Sequence, residues 1–233
     1  QLQPSEEPTI IESNLSLEVD NQSSPHVGID NIMCPIFPGH NLVTHFPSHP
    51  KCEVCQEATA HKAPARKAKN KKAKNPKDTS DLKPPEKFGD WITADHSVGS
   101  DYDKSRHGQK FALVILDKKT LWVGSFPARS KNAKDTAKGF ARFFGPDIKP
   151  KYIWTDGANE YKKAFEMLGY MYHDTSTPYH HENNGIAEAT QKRIKIGTTS
   201  AIVQSGLLAW WWAEANRCFA FQKNICDRNA SGR

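Results

Sequence analysis

Three carboxylates stand where phosphoryl chemistry would want them. The run Tyr152-Ile-Trp-Thr ends in Asp156, followed by a glycine turn at Gly157. Glu188 follows a Pro-, His- and Asn-rich loop, TPYHHENNG, and opens a basic helical stretch. Carboxylates at a strand end and on a helix can share divalent cations, and two such ions clamp the attacking and leaving oxygens of a phosphoryl transfer. That reaction calls for a third carboxylate, and Asp95, closing the run GDWITAD, is the candidate. Each has an ordinary role open to it. Asp156 could cap the helix ANEYKKAF, Glu188 could be a solvated glutamate paired with Lys192 at i+4, and a lone Asp95 could be a turn residue. The joint order of the three favours a metal site.

A second cluster lies upstream. His40, His45, His49, Cys52 and Cys55 crowd into one short segment with too few apolar residues for a core of its own. A CxxC pair and two nearby imidazoles fill a tetrahedral zinc shell, and the metal then supplies the missing folding energy. Cys52 and Cys55 are the firm part. His40 and His45 are chosen to complete the shell because Leu42-Val43 between them could form the packed turn, with His49 as the alternative. There are five cysteines, an odd number with one close pair. This argues against a disulfide framework and fits a reduced compartment.

The elements that must position these groups divide the chain into four parts. Residues 1–30 are acidic and Ser-rich without Phe, Tyr or Trp, and read as disordered linker. Residues 31–61 hold the His/Cys segment. Residues 62–86, with KAPARKAKNKKAKNPK, form a lysine-dense linker that cannot bury a core and suits phosphate contacts or a nuclear localisation signal. Residues 87–229 form the folded core. The net charge of +6 and pI near 9.0 point, weakly, to a polyanionic partner. No apolar run is long enough to span a membrane. The first residues lack the layout of a signal peptide. Both ends read as cut from a longer polyprotein or from a partial gene.

Within the core, GDWITADHSVG, KFALVILDKK and TLWVGSFPA read as three strands, the second with an apolar run typical of a buried sheet position. KNAKDTAKGFARFFG has helical spacing, with Ala133, Ala137, Phe140, Ala141 and Phe144 on one face and Gly145 as the stop. KYIWTD is a fourth strand, GANEYKKAFEMLG a short helix, and YMYHDTS a short fifth strand. GIAEATQKRIKIGTTSAIVQSG is a long helix with Gly197 as a weak point. GLLAWWWAEANRCFAFQKNICD is a last helix, with Leu207, Trp211, Ala215, Cys218 and Phe219 as its buried stripe. The fold class is therefore α/β: an RNase H-like mixed five-stranded sheet flanked by helices. In such a sheet the first and fourth strands lie side by side, which brings Asp95 to Asp156.

The blocks WITADHSVG, FALVILD, WTDGANEY, TPYHHENNGIAEA and GLLAWWWAEA, in that order over residues 88–227, resemble the integrases of retroelements, most closely the integrase core of copia-type retrotransposons. PYHHENNGIAEATQKRIK is similar to the family's loop-and-helix block, a register that selects Glu188 over Glu182. The resemblance implies a DDE polynucleotidyl transferase. Asp95, Asp156 and Glu188 would bind two Mg²⁺ or Mn²⁺ ions for 3′-end processing and strand transfer of element DNA into target DNA. It implies Lys192 and Lys195, on the face of Glu188, as contacts to the DNA end, with Arg193 weaker, and Tyr179 and Asn184 in the loop near the scissile end. It also implies a homo-oligomer acting in the nucleus or in a cytoplasmic element particle. The chain departs from the family in a shorter interval between Asp156 and Glu188. Its His and Cys pairs also nearly adjoin, so a small knuckle around CEVC is expected rather than a three-helix zinc domain. A catalytically inactive or domesticated nucleic-acid-binding module, and an RNase H-type nuclease, are the alternatives.

Overall fold

The computed structural model describes residues 36–60, 83–99, 104–170, 173–175 and 181–226. The expected linkers at 1–30 and through most of 62–86 lie outside them. The elements in order are α1 (Glu53–Thr59), β1 (Trp91–Val98), β2 (Phe111–Asp117), β3 (Val123–Ala128), α2 (Ala133–Phe144), β4 (Tyr152–Thr155), α3 (Asn159–Leu168), β5 (His173–Thr175), α4 (His181–Ser205) and α5 (Trp212–Cys226), with a 3₁₀ turn at Ala209–Trp211 before α5.

The sheet runs β3-β2-β1-β4-β5. β1, β2 and β3 form an antiparallel meander, and β4 pairs with β1 in parallel. The body is four-stranded. The expected fifth strand is only a three-residue edge, His173–Thr175, alongside β4. The short fifth strand is thus present, as a three-residue edge beside the four-stranded body.

β2 shows why its sequence is apolar without alternation. Leu113 and Ile115 face α2 and α3, packing with Ile92, Ile153, Phe140, Tyr161 and Phe165. Val114 and Leu116 face the other way, with Ile194 of α4 and Phe219 of α5. Side chains alternate between faces, and here both faces are covered. β1 runs three residues beyond Asp95, because His96, Ser97 and Val98 remain paired with β2 after β4 has ended.

The turn after β2 is organised by Asp117, which is wholly buried. Its carboxylate accepts from the Gly89 amide at 2.9 Å and from the Thr120 amide and hydroxyl at 2.7 and 2.6 Å. These bonds satisfy a buried charge and lock the approach to β1. Lys151 lies 2.7 Å from Asp90. The Tyr152 amide donates to the Asp90 carbonyl at 3.0 Å. The two contacts set β4 in register beside β1.

The helices differ from their expected faces in detail. α2 buries Thr136, Ala137, Gly139, Phe140, Phe143 and Phe144, so Ala141 is exposed and Phe143 takes the inner position. Asn132 caps α2, accepting from the Asp135 amide at 2.8 Å. Gly145, at φ 70°, ends it. α5 begins only at Trp212, after the chain bends at Gly206. Its inner face is Ala213, Asn216, Phe219 and Ala220, while Leu207 and Cys218 are exposed. None of Trp210, Trp211 and Trp212 is fully buried, and the Arg106 guanidinium lies 4.0 Å over Trp211.

Gly197 is a packing residue. A Cβ there would collide with the ring of Phe219. Alanine is better than glycine in a helix by about 1 kcal/mol, but overpacking a filled core costs about 1–3 kcal/mol. The collision is with a wholly buried ring, so the second effect wins. Gly197→Ala is expected to lower the urea midpoint by the equivalent of about 1–2 kcal/mol, and adding Phe219→Leu should recover part of it. A stabilised Gly197→Ala would show that α5 does not pack on α4 in this way.

Candidate active site and metal centre

Strand order brings Asp95 and Asp156 together. The parallel register pairs Trp91 with Tyr152, Ile92 with Ile153 and Thr93 with Trp154. Carried on by two residues, it sets Asp95 across from Asp156. Neighbouring strands lie about 4.8 Å apart. The junction of β1 and β4 is also where strand order reverses direction, the position at which α/β sheets open a crevice beyond their carboxyl ends. Asp156 is exposed, and Ala158, not Asp156, is the N-cap of α3. Its carboxylate is therefore not spent on the helix.

Glu188 comes from the opposite layer. α4 starts at His181, a turn earlier than expected, which places Glu188 in its second turn, exposed. Among the described residues no ion pair joins Glu188 to Lys192.

The three carboxylates share a field. Asp95 is pushed up from 3.8 to about 6, mainly by burial, with the charges of Asp156 and then Glu188 adding to it. The His96 amide, donating to Oδ1 at 2.7 Å, and the Lys131 charge pull the other way. Lys131 in turn lies 3.9 Å from Glu160. Surplus negative charge around a half-buried space is what divalent cations relieve, and hard oxygen donors suit Mg²⁺ or Mn²⁺.

Beneath the carboxylates lie groups that sequence reasoning did not single out. His96 stacks obliquely on Tyr161 at 4.8 Å, with Nε2 3.3 Å from the Thr136 hydroxyl. Burial pushes His96 down to about 4, so the ring is neutral at physiological pH. The Tyr161 hydroxyl is buried without a hydrogen-bond partner among the described residues. Burial first, then the charges of Asp95 and Asp156, raise it well above the usual tyrosine range. Its position under the carboxylates makes it part of their floor. A tyrosine on the buried stripe of a helix carries no local sign of this.

The basic candidates separate. Lys192 and Lys195 are exposed on α4. Lys195 lines a cleft of about 330 Å³ with Lys110, Ser97, Thr199 and Trp212, at the far end of β1 from the chain's entry. Arg193 faces elsewhere, with its guanidinium 3.4 Å over the ring of Phe46. Tyr179 lies outside the described residues, as does the side chain of Asn184, whose backbone is in the first turn of α4.

The Asp95 shift has a testable sign. A carboxyl whose folded value exceeds its unfolded one contributes stability that is present below the unfolded value and lost as pH rises through the folded value. Without divalent cations at pH 7.5, Asp95→Asn is therefore expected to stabilise the fold. The gain is on the order of 1–2 kcal/mol after discounting for partial exposure, and it should vanish below about pH 4, where the aspartate is protonated in both states. Melting curves in EDTA at both pH values read this directly. An unchanged or lower melting temperature for the variant at pH 7.5 would refute the shared field.

The second centre is a His/Cys knuckle. The ligand atoms of His40, His45, Cys52 and Cys55 all lie within 4.8 Å of one another, and all four residues are buried. Asn41 builds the turn that presents the histidines: its Oδ1 accepts from the Val43 amide at 2.8 Å and the Thr44 amide at 3.0 Å. His45 takes φ 50°, a left-handed conformation that costs a non-glycine residue about 1 kcal/mol. It turns the ring so that Nδ1 stands 3.5 Å from the Cys52 sulfur and 3.7 Å from that of Cys55. The His40 Nε2 is 3.9 Å from the Cys55 sulfur, while its Nδ1 lies 2.8 Å from the Pro47 carbonyl. That carbonyl can only accept, so Nδ1 carries the hydrogen and Nε2 keeps its lone pair. The cysteines flank the start of α1, with Cys52 as its N-cap. Burial raises the Cys55 thiol and lowers His45, partly offset by the Gln204 bond. A cation would reverse the first and suits the second, since a neutral imidazole is the ligand form. His49 stands aside, stacked on Phe37 at 4.4 Å. Soft sulfur and imidazole in a closed, tight shell fit a structural metal ion, and zinc best.

Among the described residues no helix is long and apolar enough to cross a membrane. No family model matches the chain, and no curated protein matches it. Among solved structures, the catalytic core domain of the HTLV-2 integrase, in complex with magnesium and in a trimeric form, is similar at 18% sequence identity with a TM-score of 0.49, covering 63% of this chain and 93% of that one. A likeness of that degree is one of chain trace.

Proposed function

We propose that the chain is the catalytic part of a retroelement integrase of the copia type, a DDE polynucleotidyl transferase that joins element DNA to target DNA. The observation that carries it is that Asp156, just past β4, and Glu188, on α4, stand near enough to Asp95 on β1 for their charges to add to the burial that raises Asp95 to about 6. Two divalent ions held there would activate the nucleophile and stabilise the departing oxygen. Three roles remain for the chain itself. The carboxylates hold the charge and orientation of the site. Lys192 and Lys195, with Lys110 across the cleft, neutralise backbone phosphates and set the register of the duplex end. His96 stays neutral behind Asp95 and keeps the floor rigid through Thr136 and Tyr161.

Two displacements at phosphorus follow. First, a water oxygen attacks the phosphorus near the element's end and displaces the 3′-oxygen of the element strand, which takes a proton and becomes a 3′-hydroxyl, while the end nucleotide departs carrying the phosphate on its 5′ side. Then that hydroxyl oxygen attacks a target phosphodiester, and a target 3′-oxygen leaves with a proton. Joining two ends requires more than one copy of the chain, so a homo-oligomer is part of the proposal, as is action in the nucleus or an element particle.

A strand-transfer assay with Mn²⁺ on short duplex ends is the test. Product from the unaltered protein, absent with Asp156→Asn, supports the proposal. No product from the unaltered protein, or equal product from both, removes it. Cleavage confined to RNA–DNA hybrids would indicate a nuclease instead.

A further inference from the structure

The knuckle is not a free appendage, and the residue that ties it down belongs to the helix bearing Glu188. Gln204, in the last turn of α4, has both ends of its amide engaged with the knuckle. Its Nε2 donates to the Leu42 carbonyl at 3.1 Å. Its Oε1 faces the Nε2 of His45 at 3.3 Å. A carbonyl oxygen only accepts, so the first bond fixes which end of the amide is nitrogen. The amide oxygen is then left for His45, whose Nε2 must carry the hydrogen. That places the His45 lone pair on Nδ1, the atom beside the Cys52 and Cys55 sulfurs.

Helix geometry extends the point. Arg193 and Gln204 are eleven residues apart, close to three turns, so they share one face of α4. Arg193 lies over Phe46 and Gln204 under His45, and the knuckle therefore grips that face at both ends. Glu188 and Lys195 fall roughly 140° or more around the helix from it and Lys192 roughly 100–120°, and all three are exposed.

We propose that Gln204 is the outer-shell partner of the knuckle's metal, and that metal loading, acting through His45 and Gln204, fixes the position of α4 and hence of Glu188. The proposal rests on the knuckle holding a metal ion. A cation on Nδ1 withdraws charge from the imidazole and makes Nε2–H a stronger donor to Gln204. Without it the ring is released from its tautomer, and the amide bond to α4 weakens. Gln204 is a positioning residue: it touches no reacting atom.

The test uses the full chain and zinc alone. Chelator competition should show zinc held roughly 10–100-fold less tightly by Gln204→Leu than by the unaltered protein, the usual cost of losing an outer-shell partner. Gln204→Glu, which keeps an acceptor for His45, should bind zinc close to the unaltered affinity. Hydrogen exchange along α4 should slow on zinc loading of the unaltered protein and respond far less in Gln204→Leu. Unchanged exchange in β1 and β2 confirms that each variant is folded. Equal zinc affinity in Gln204→Leu, or α4 exchange indifferent to zinc in the unaltered protein, overturns the strap while leaving the metal site standing. No bound zinc in the unaltered protein overturns both.

Discussion

Asp156→Asn is expected to reduce strand transfer at least about 10³-fold, or some 4 kcal/mol of transition-state stabilisation, with little loss of stability. The two parts belong together. Asp156 is exposed, caps no helix and sits just past the end of β4, so the fold does not depend on its charge. An amide in its place keeps the shape but gives up the anionic oxygen that a divalent ion requires. Neutralising it also removes one of the charges that raise Asp95, so the Asp95 titration should move down from about 6. Carbon-detected carboxylate titration in the absence of divalent ions reads that shift independently of activity. A variant that keeps strand transfer, or that leaves the Asp95 titration where it was, would show that Asp156 is outside the site. A related consequence concerns metal demand. Asp95 must lose its proton to bind a cation, so the Mg²⁺ concentration needed for half-maximal activity should fall as pH rises through about 6.

Cys52→Ser carries the other large effect. The segment from residue 36 to 60 buries few apolar side chains, chiefly its own cysteines and Ala58. Structural zinc sites in peptides of this size contribute an apparent 10–16 kcal/mol or so at neutral pH, far more than such a segment can draw from burial. A serine oxygen replaces a thiolate poorly for zinc. Metal content should fall from about one equivalent to near zero. Backbone exchange over residues 40–60 should rise to that of an unfolded segment, while β1 to β4 keep their protection, because the core clusters on the sheet include no knuckle residue. Retention of stoichiometric metal by the variant, or its absence from the unaltered protein, would remove the metal centre. Asp156→Asn leaves metal at the knuckle and abolishes chemistry; Cys52→Ser does the reverse at the knuckle and acts on chemistry only through α4.

Much of the architecture was written in local pattern. The apolar run of β2 announced a buried strand, and it packs against α2 and α3 on one side and α4 and α5 on the other. The order of strands and helices implied that β1 and β4 would be neighbours, and they are paired in parallel. The CxxC spacing marked a candidate ligand pair, and its two cysteines stand together with two imidazoles. Such features rest on periodicity and short-range spacing, which depend on a few adjacent residues. Faces of helices were less legible. The stripe assigned to α5 held at Phe219 alone, because the bend at Gly206 delays the helix to Trp212 and its inner side is Ala213, Asn216, Phe219 and Ala220.

What the amino-acid order determined on its own was the set of candidate donors: three carboxylates in a succession that suits a metal site, and two thiols with imidazoles near them. Tertiary structure decided how those donors stand in space. It put Lys131, His96 and the Tyr161 hydroxyl around Asp95, turned Gly197 from a helix weakness into a contact site for Phe219, and set Arg193 on Phe46 instead of on the open face of α4. It also joined His45 to Gln204 across 159 residues. The physical reason is common to all of these. Periodicity is a property of one element and shows which residues it can bury. A pairing between elements depends on shape and charge brought together only when the whole sheet and both helical layers have closed, and no local run of residues carries that information.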